Sequence, residues 1–174
     1  MNSIWQSEFV IAHSQILARS LKHWTGRDLL LGDFGAPASG PAGSTPLPAL
    51  AGSETGAPLA EKLFHAPFVV VSHGTEADPV LNYGNAAALA LWEMSWKELA
   101  RTPSRLTAEA PNREGRARLL AAVTQHGFID DYSGVRISKT GRRFKISRAT
   151  VWNLISESCQ PCGQAAMFGE WEFL

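Results

Sequence analysis

Two apolar rows at helical spacing open the chain. Trp5, Phe9, Ala12 and Ile16 form one, and Val10, Leu17, Leu21 and Trp24 form the adjacent one. Together they predict an amphipathic helix that starts at an Asn2 or Ser3 cap and runs to about Trp24, with Gly26 where a helix C-terminus commonly closes. A stripe bearing two tryptophans has to be covered, either by its own domain or by a partner subunit. From Asp33 to Pro58 the period is lost in "DFGAPASGPAGSTPLPALAGSETGAP", where Gly, Pro, Ala and Ser dominate. This is a linker to which no chemistry is assigned. Its glycines do not make a phosphate loop, because no strand leads in, no Lys-Ser or Lys-Thr pair follows, and prolines interrupt it.

The pattern resumes near Leu59. "FVVVS" reads as a strand, "VLNY" as its hairpin partner, and "NAAALALWEM" as a helix capped by Asn85. "SWKELA" is a short helix capped by Ser95, and "TPSRL" a further helical turn with Pro103 at its first position. Asn112 to Gln125 is an amphipathic helix whose buried edge is Leu119, Leu120 and Val123, closed by Gly127. The apolar period then switches to that of strands, giving "FIDDYSGVRIS", "RRFKISRATVWNLI" and "QAAMFGEWEFL". A Thr140-Gly141 turn joins the first two, and a loop holding "SESCQPCG" joins the last two. Gly134 and the Ser147-Arg148 pair interrupt the alternation, which predicts bulges that exchange the buried face. Two strands before the helices and three after them predict an α+β fold, a five-stranded antiparallel sheet with helices on one face, plus the N-terminal amphipathic helix. The expected organisation is a helical extension at 1–32, the linker at 33–58 and the packed domain at 59–174.

Charge and composition narrow the possible functions. The chain has 174 residues, enough for one domain with a core, and its 16 basic and 16 acidic residues cancel. Nothing in that balance draws it to nucleic acid or an anionic membrane. In "KTGRRFKISR", Arg143 and Lys145 alternate with Phe144 and Ile146, as on the solvated face of an antiparallel strand. No apolar run approaches the ~20 residues that span a bilayer. The N-terminus lacks the basic end and unbroken apolar segment of a signal peptide, so a cytosolic protein is expected. The two cysteines, Cys159 and Cys162, do not make a disulfide framework.

Several segments carry a resemblance. "APFVVVSHGTEADPVLNYGN", "PSRLTAE", "GFIDDYSGVRISKTGRRFKI", "TVWNL" and "GQAAMF" resemble, in this order, the bacterial stand-alone members of the MEKHLA family, a group related to PAS domains. The ending "MFGEWEFL" is also similar to the family's plant members, in which the domain closes class III homeodomain-leucine zipper proteins. The resemblance implies a PAS-like fold and a sensory or regulatory role. It supplies no ligand, cofactor or catalytic residue.

Candidate chemistry is sparse. His73, where the first strand opens into a turn, is either a hairpin support, a pocket-lining group or a metal or catalytic residue. His13, His23, His65 and His126 do not stand at metal-ligand spacing from it or from one another, so no metal site is assigned. Asn85 is a structural cap. Aromatic residues come from both the helices and the strands, the two walls between which a PAS domain holds its ligand. Aromatics with a few convergent polar groups describe either a small-molecule pocket or a tryptophan-rich core. The candidate ligand-binding set is His73, Tyr83, Trp92, Arg105, Tyr132, Arg136, Trp152 and Gln164. The C-x-x-C of Cys159 and Cys162 lies in a loop between strands rather than at a helix N-terminus, so it is an incidental pair before it is a redox site. Asp130 and Asp131, as successive strand residues, face opposite sides of the sheet and make no acid-base pair. Flavin photochemistry of the light-sensing PAS type needs a cysteine in the helical segment, and none lies between Leu59 and Glu157. The expectation is a non-enzymatic regulatory module that binds a small molecule, or alternatively a ligand-free dimerisation or protein-interaction module, and last a redox or metal-dependent enzyme resting on His73 and the Cys159/Cys162 pair. The N-terminal helix is expected to make a homodimer or dock a partner.

Overall fold

The computed structural model describes residues 3–31 and 55–174. The expected linker lies outside the described residues except for 55–58. The N-terminal helix is divided in two by a second cap. Ser3 starts a single 3-10 turn, Ile4–Gln6, and its backbone N–H donates to Gln6 Oε1 at 2.8 Å. Ser7 is extended, with φ −70 and ψ 143, and its hydroxyl accepts from the Val10 N–H at 3.3 Å. The helix proper, α1 (Glu8–Thr25), therefore begins later than an Asn2 or Ser3 cap predicts. It closes as expected at Gly26, whose φ of 73 suits a residue without Cβ.

A second helix, α2 (Ala57–Phe64), has Pro58 in its first turn and buries Leu59, Ala60, Leu63 and Phe64. The linker-like composition of 33–58 runs into its start and hid it from the sequence. Then come β1 (Val69–His73), β2 (Leu81–Gly84), α3 (Ala86–Trp92), α4 (Trp96–Leu99), a 3-10 turn (Ser104–Thr107) and α5 (Ala110–His126). Pro103 caps that turn rather than beginning it. β3 (Phe128–Ile137), β4 (Arg143–Ile155), β5 (Pro161–Phe168) and β6 (Glu170–Phe173) complete the chain.

All pairings are antiparallel, in the order β2-β1-β5-β4-β3. The last predicted strand is two strands: β5 pairs with Thr150–Ile155 of β4, and β6 with Phe144–Ser147. The division coincides with a bulge in β4. Between the Tyr132↔Ala149 and Gly134↔Ile146 pairs β4 carries an extra residue, and Arg148 there has φ 53. A second bulge lies in β3 at Asp130-Asp131, between Ile129↔Val151 and Tyr132↔Ala149, with Asp131 at φ 57; the register shift at Gly134 is the one made by the extra residue of β4.

The bulge divides β4 by burial. On one side of it Phe144 and Ile146 are buried while Arg143 and Lys145 are exposed; on the other Ala149, Thr150, Val151 and Trp152 are all buried. Both faces are covered there because the sheet is a middle layer. Its outer face packs Val70, Trp152, Leu154 and Met167 against Val10, Leu17 and Leu21 of α1 and Leu63 of α2. Its inner face packs Val69, Phe144, Ile146 and Phe168 against Ala88, Leu91 and Trp92 of α3. The α1 stripe is thus buried on its own sheet through its Val10 row, while Phe9 of the other row is 51% exposed. Polar ties fix α1 to the end of β4: the Ile155 N–H donates to Ser20 Oγ at 2.9 Å and Trp24 Nε1 donates to the Asn153 carbonyl at 2.9 Å. No helix among the described residues is long and apolar enough to cross a membrane.

Candidate functional site

The strand period sets which side chains can meet. Val69, Val71 and His73 alternate onto the inner face of β1, and Val70 and Ser72 onto the outer one. His73 is 7% exposed, and its Nδ1 lies 2.8 Å from the Gly74 carbonyl. A carbonyl only accepts, so Nδ1 carries the proton. Burial lowers the imidazole's pKa and the Arg116 charge acts in the same direction, against the Gly74 carbonyl and Glu76, so the ring is neutral at pH 7. The remaining nitrogen, Nε2, is then a lone pair, buried and without a hydrogen-bond partner. His73 braces the hairpin through Nδ1, and its side chain lines the interior.

That interior is a cavity of about 60 Å³ between the sheet and α3 and α5. Its walls are largely apolar, with Val71, Leu119, Leu120, Ile146, Val151 and Phe168 among them. Trp92 closes one end, its ring centroid 5.4 Å from that of Phe144, and its Nε1 is buried without a partner. Tyr132 and Arg136 enter from β3, where Arg136 is 7% exposed and donates from Nη2 to the Tyr132 hydroxyl at 3.1 Å. Arg116 enters from α5; burial first, and the neighbouring Arg136 second, bring its pKa down to about 10, so it remains a cation at neutral pH. Gln164, directly opposite His73 in the β1–β5 pair, has Nε2 3.0 Å from each of the Leu120 carbonyl, Thr124 Oγ1 and Asn153 Oδ1. Asn153 Nδ2 in turn donates to the Val123 carbonyl at 2.9 Å. These two amides dock α5, of which only Val123 is fully buried among its described side chains.

Five members of the sequence-derived set, His73, Trp92, Tyr132, Arg136 and Gln164, therefore line one cavity. The other three lie elsewhere. Trp152, opposite Ala165, belongs to the outer cluster, because one step along a strand reverses the face and its neighbour Val151 takes the inner one. Tyr83 is in the same outer cluster, its hydroxyl without a well-formed partner, with Ser14 the neighbour that acts on it; burial raises the phenol's pKa. Arg105 is exposed and pairs with Asp78 at 3.1 Å.

Two residues outside the set matter. Arg116 stands in register with Leu119, Leu120 and Val123, so helical spacing already placed a cation on the buried edge of α5. His13 falls between Val10 and Leu17 on the buried stripe of α1. Its Nε2 lies 2.8 Å from Ser72 Oγ, whose own proton goes to Asn82 Oδ1 at 2.6 Å, so His13 donates. Burial brings its pKa down to about 4.

The remaining candidates are structural or isolated. Asn85 Oδ1 accepts from the Ala88 N–H at 3.2 Å and the Val70 N–H at 3.0 Å, and its Nδ2 donates to the Phe68 carbonyl at 2.7 Å, which joins α3 to β1. Asp130 accepts from Arg27 at 2.6 Å and Thr150 at 2.7 Å, in a second tie of α1 to the sheet. Cys159 is exposed and Cys162 half-buried; burial raises the Cys162 thiol's pKa, opposite to what an activated thiol needs. Among the described residues no group of three or more His, Cys, Asp or Glu could hold a metal ion.

The sequence matches the MEKHLA domain model over residues 44–173. The chain belongs to the MEKHLA domain family. The match begins at residue 44 and takes in α2. The fold is that of PAS domains. The PAS domain of a protein from Colwellia psychrerythraea superposes with a TM-score of 0.55 at 14% identity, covering 66% of this chain and 92% of that one. A light-oxygen-voltage domain described with a flavin analogue gives 0.53 at 13% identity, over 67% and 84%. An RNA-binding light-oxygen-voltage receptor gives 0.51 at 13% identity, over 63% of this chain and 31% of the receptor. At these identities the likeness is one of fold. No curated protein matches the sequence closely enough to add a function.

Proposed function

We propose that this MEKHLA domain is a sensory module that takes a small molecule into the cavity between its sheet and α5 and passes occupancy on through protein contacts. The supporting observation is that His73 and Trp92, each with a buried ring nitrogen that has no hydrogen-bond partner, both line one largely apolar cavity. A buried polar group without a partner costs about 1–3 kcal/mol, which a ligand atom in hydrogen-bonding position returns. α5 is the element through which occupancy is passed on: it covers the cavity, and two side-chain amides rather than a deep apolar edge hold it. A light-sensing flavin role is disfavoured, since a cavity of about 60 Å³ is far below the ~300 Å³ of a pocket for a molecule of that size, and the helical segment lacks the cysteine. Native mass spectrometry of the purified chain, with its absorbance spectrum, tests the proposal. A retained small molecule, or a shift of the Trp92 indole resonance on adding one, supports it; a bare polypeptide mass and an indole resonance that no small molecule moves refute it.

A second reading, a ligand-free interaction module, is favoured by the exposure of Phe9 on α1. Deleting residues 1–25 would not test it, because that also uncovers the outer face of the sheet. Phe9→Glu with sedimentation analysis does: a dimer that dissociates in this variant while the fold persists supports the reading, and an unchanged oligomeric state removes it.

A further inference from the structure

The cavity carries positive charge that no acidic side chain among the described residues pairs with. Arg136 donates from Nη1 to the Val135 carbonyl at 2.9 Å and from Nη2 to the Tyr132 hydroxyl at 3.1 Å, both neutral acceptors. Arg116 lies near enough to repel it, and among the described residues no carboxylate forms an ion pair with either. Glu114, two residues before Arg116 and so turned to the other side of the same helix, is engaged by Arg118 at 3.0 Å. Two largely buried like charges without a counter-ion are costly, and a planar guanidinium suits a carboxylate through paired N–H donors. Arg116, Tyr132 and Arg136 also line a cleft between α5 and β3 that opens to the surface, so an anion reaches the cavity past both cations.

Three constraints narrow the anion. A volume of about 60 Å³, at about 10–15 Å³ for each water-sized group, accommodates roughly four to six non-hydrogen atoms. The walls formed by Leu119, Ile146 and Phe168 favour an anion with a carbon skeleton over a fully hydrated inorganic one. His73 lines the cavity, and its buried, unpartnered Nε2 accepts and does not donate, so a ligand that engages it brings a donor of its own, which a bare carboxylate lacks. We propose that the cavity binds a short hydroxy-carboxylate, of the size of glycolate or lactate, with its carboxylate on Arg116 and Arg136 and its hydroxyl donating to His73 Nε2. This assignment rests on the small-molecule reading of the same cavity.

Nuclear magnetic resonance titration of the full chain, following the Trp92 indole N–H, tests it with lactate, glycolate, propanoate, lactamide and inorganic phosphate at millimolar concentrations. Lactate or glycolate saturates the shift. Propanoate, lacking the hydroxyl, and lactamide, lacking the charge, each bind about tenfold more weakly or worse. Arg116→Gln, which removes no hydrogen bond seen in the fold and relieves the repulsion with Arg136, weakens binding by about tenfold without lowering Tm, and Arg136→Lys weakens it as well. The proposal is overturned if propanoate or lactamide matches lactate, if phosphate binds more tightly, if Arg116→Gln leaves affinity intact, or if no hydroxy-carboxylate moves the resonance. In the last case, an indole shift caused by a neutral compound removes the carboxylate and leaves small-molecule sensing standing. An indole that nothing moves, with a bare mass, removes both.

Discussion

His13 makes the stability of the fold depend on pH in a calculable way. It is buried between α1 and the sheet, donates to Ser72, and has a pKa of about 4 against 6.5 in the unfolded chain. Below pH 6.5 the unfolded chain therefore binds a proton that the folded one refuses. Stability from this group is fully present above pH 6.5 and is lost as pH falls toward 4. The linkage relation with these two values gives a penalty of about 0.2 kcal/mol at pH 7 and about 2 kcal/mol at pH 5, with a limit of about 3 kcal/mol below pH 4. Urea unfolding followed by tryptophan fluorescence at pH 7 and pH 5 measures the difference, about 1 M in midpoint. Keeping to pH 5 and above leaves out Glu93 and Glu98, whose lowered carboxyl pKa values act below 4.5. His73, also depressed by burial, adds loss in the same direction, so the decisive comparison is with His13→Gln, which cannot titrate. The variant should lose about 2 kcal/mol less than the natural chain between the two pH values. A difference below about 0.5 kcal/mol would refute the argument that a neutral His13 pins α1 to the sheet.

Trp152→Ala should cost about 3–5 kcal/mol in urea unfolding, since the ring has no exposed surface and its removal empties the outer core; a loss under about 1 kcal/mol would contradict its placement there. Gly163→Ala should destabilise by more than about 1 kcal/mol, because φ is +149 and a Cβ would stand 2.2 Å from the His73 carbonyl oxygen; a neutral thermal melt would refute this. Asn153→Ala should speed amide hydrogen exchange in α5 more than in α1, as it removes one of the two amides holding that helix, and uniform exchange in both would show that α5 is docked otherwise.

Much of the α+β order followed from period alone. The strands, the Asn85 and Ser95 caps, the Gly26 and Gly127 stops and the bulge at Ser147-Arg148 are local events, fixed by residues within a turn or two of one another. So are the paired faces of β4, where exposed Arg143 and Lys145 alternate with buried Phe144 and Ile146. Cap competition was a local fact that the apolar row concealed: Ser7 outcompetes Ser3 for α1, although the row continues across both.

Which residues alternate is written along each strand; which of two covered faces each alternation points to is not. A sheet with helices on both sides buries both sets, so Tyr83 and Trp152 look as much like pocket residues as Trp92 and Tyr132 do. Tertiary structure decided between them, through the register His73↔Gln164 and Trp152↔Ala165 and the docking of α1 on the outer face. It also brought Arg116 beside Arg136, twenty residues away, with no ion-paired acid for either among the described residues. That meeting depends on where a helix crosses a sheet, a distance set by packing across layers and encoded in no single stretch of the chain.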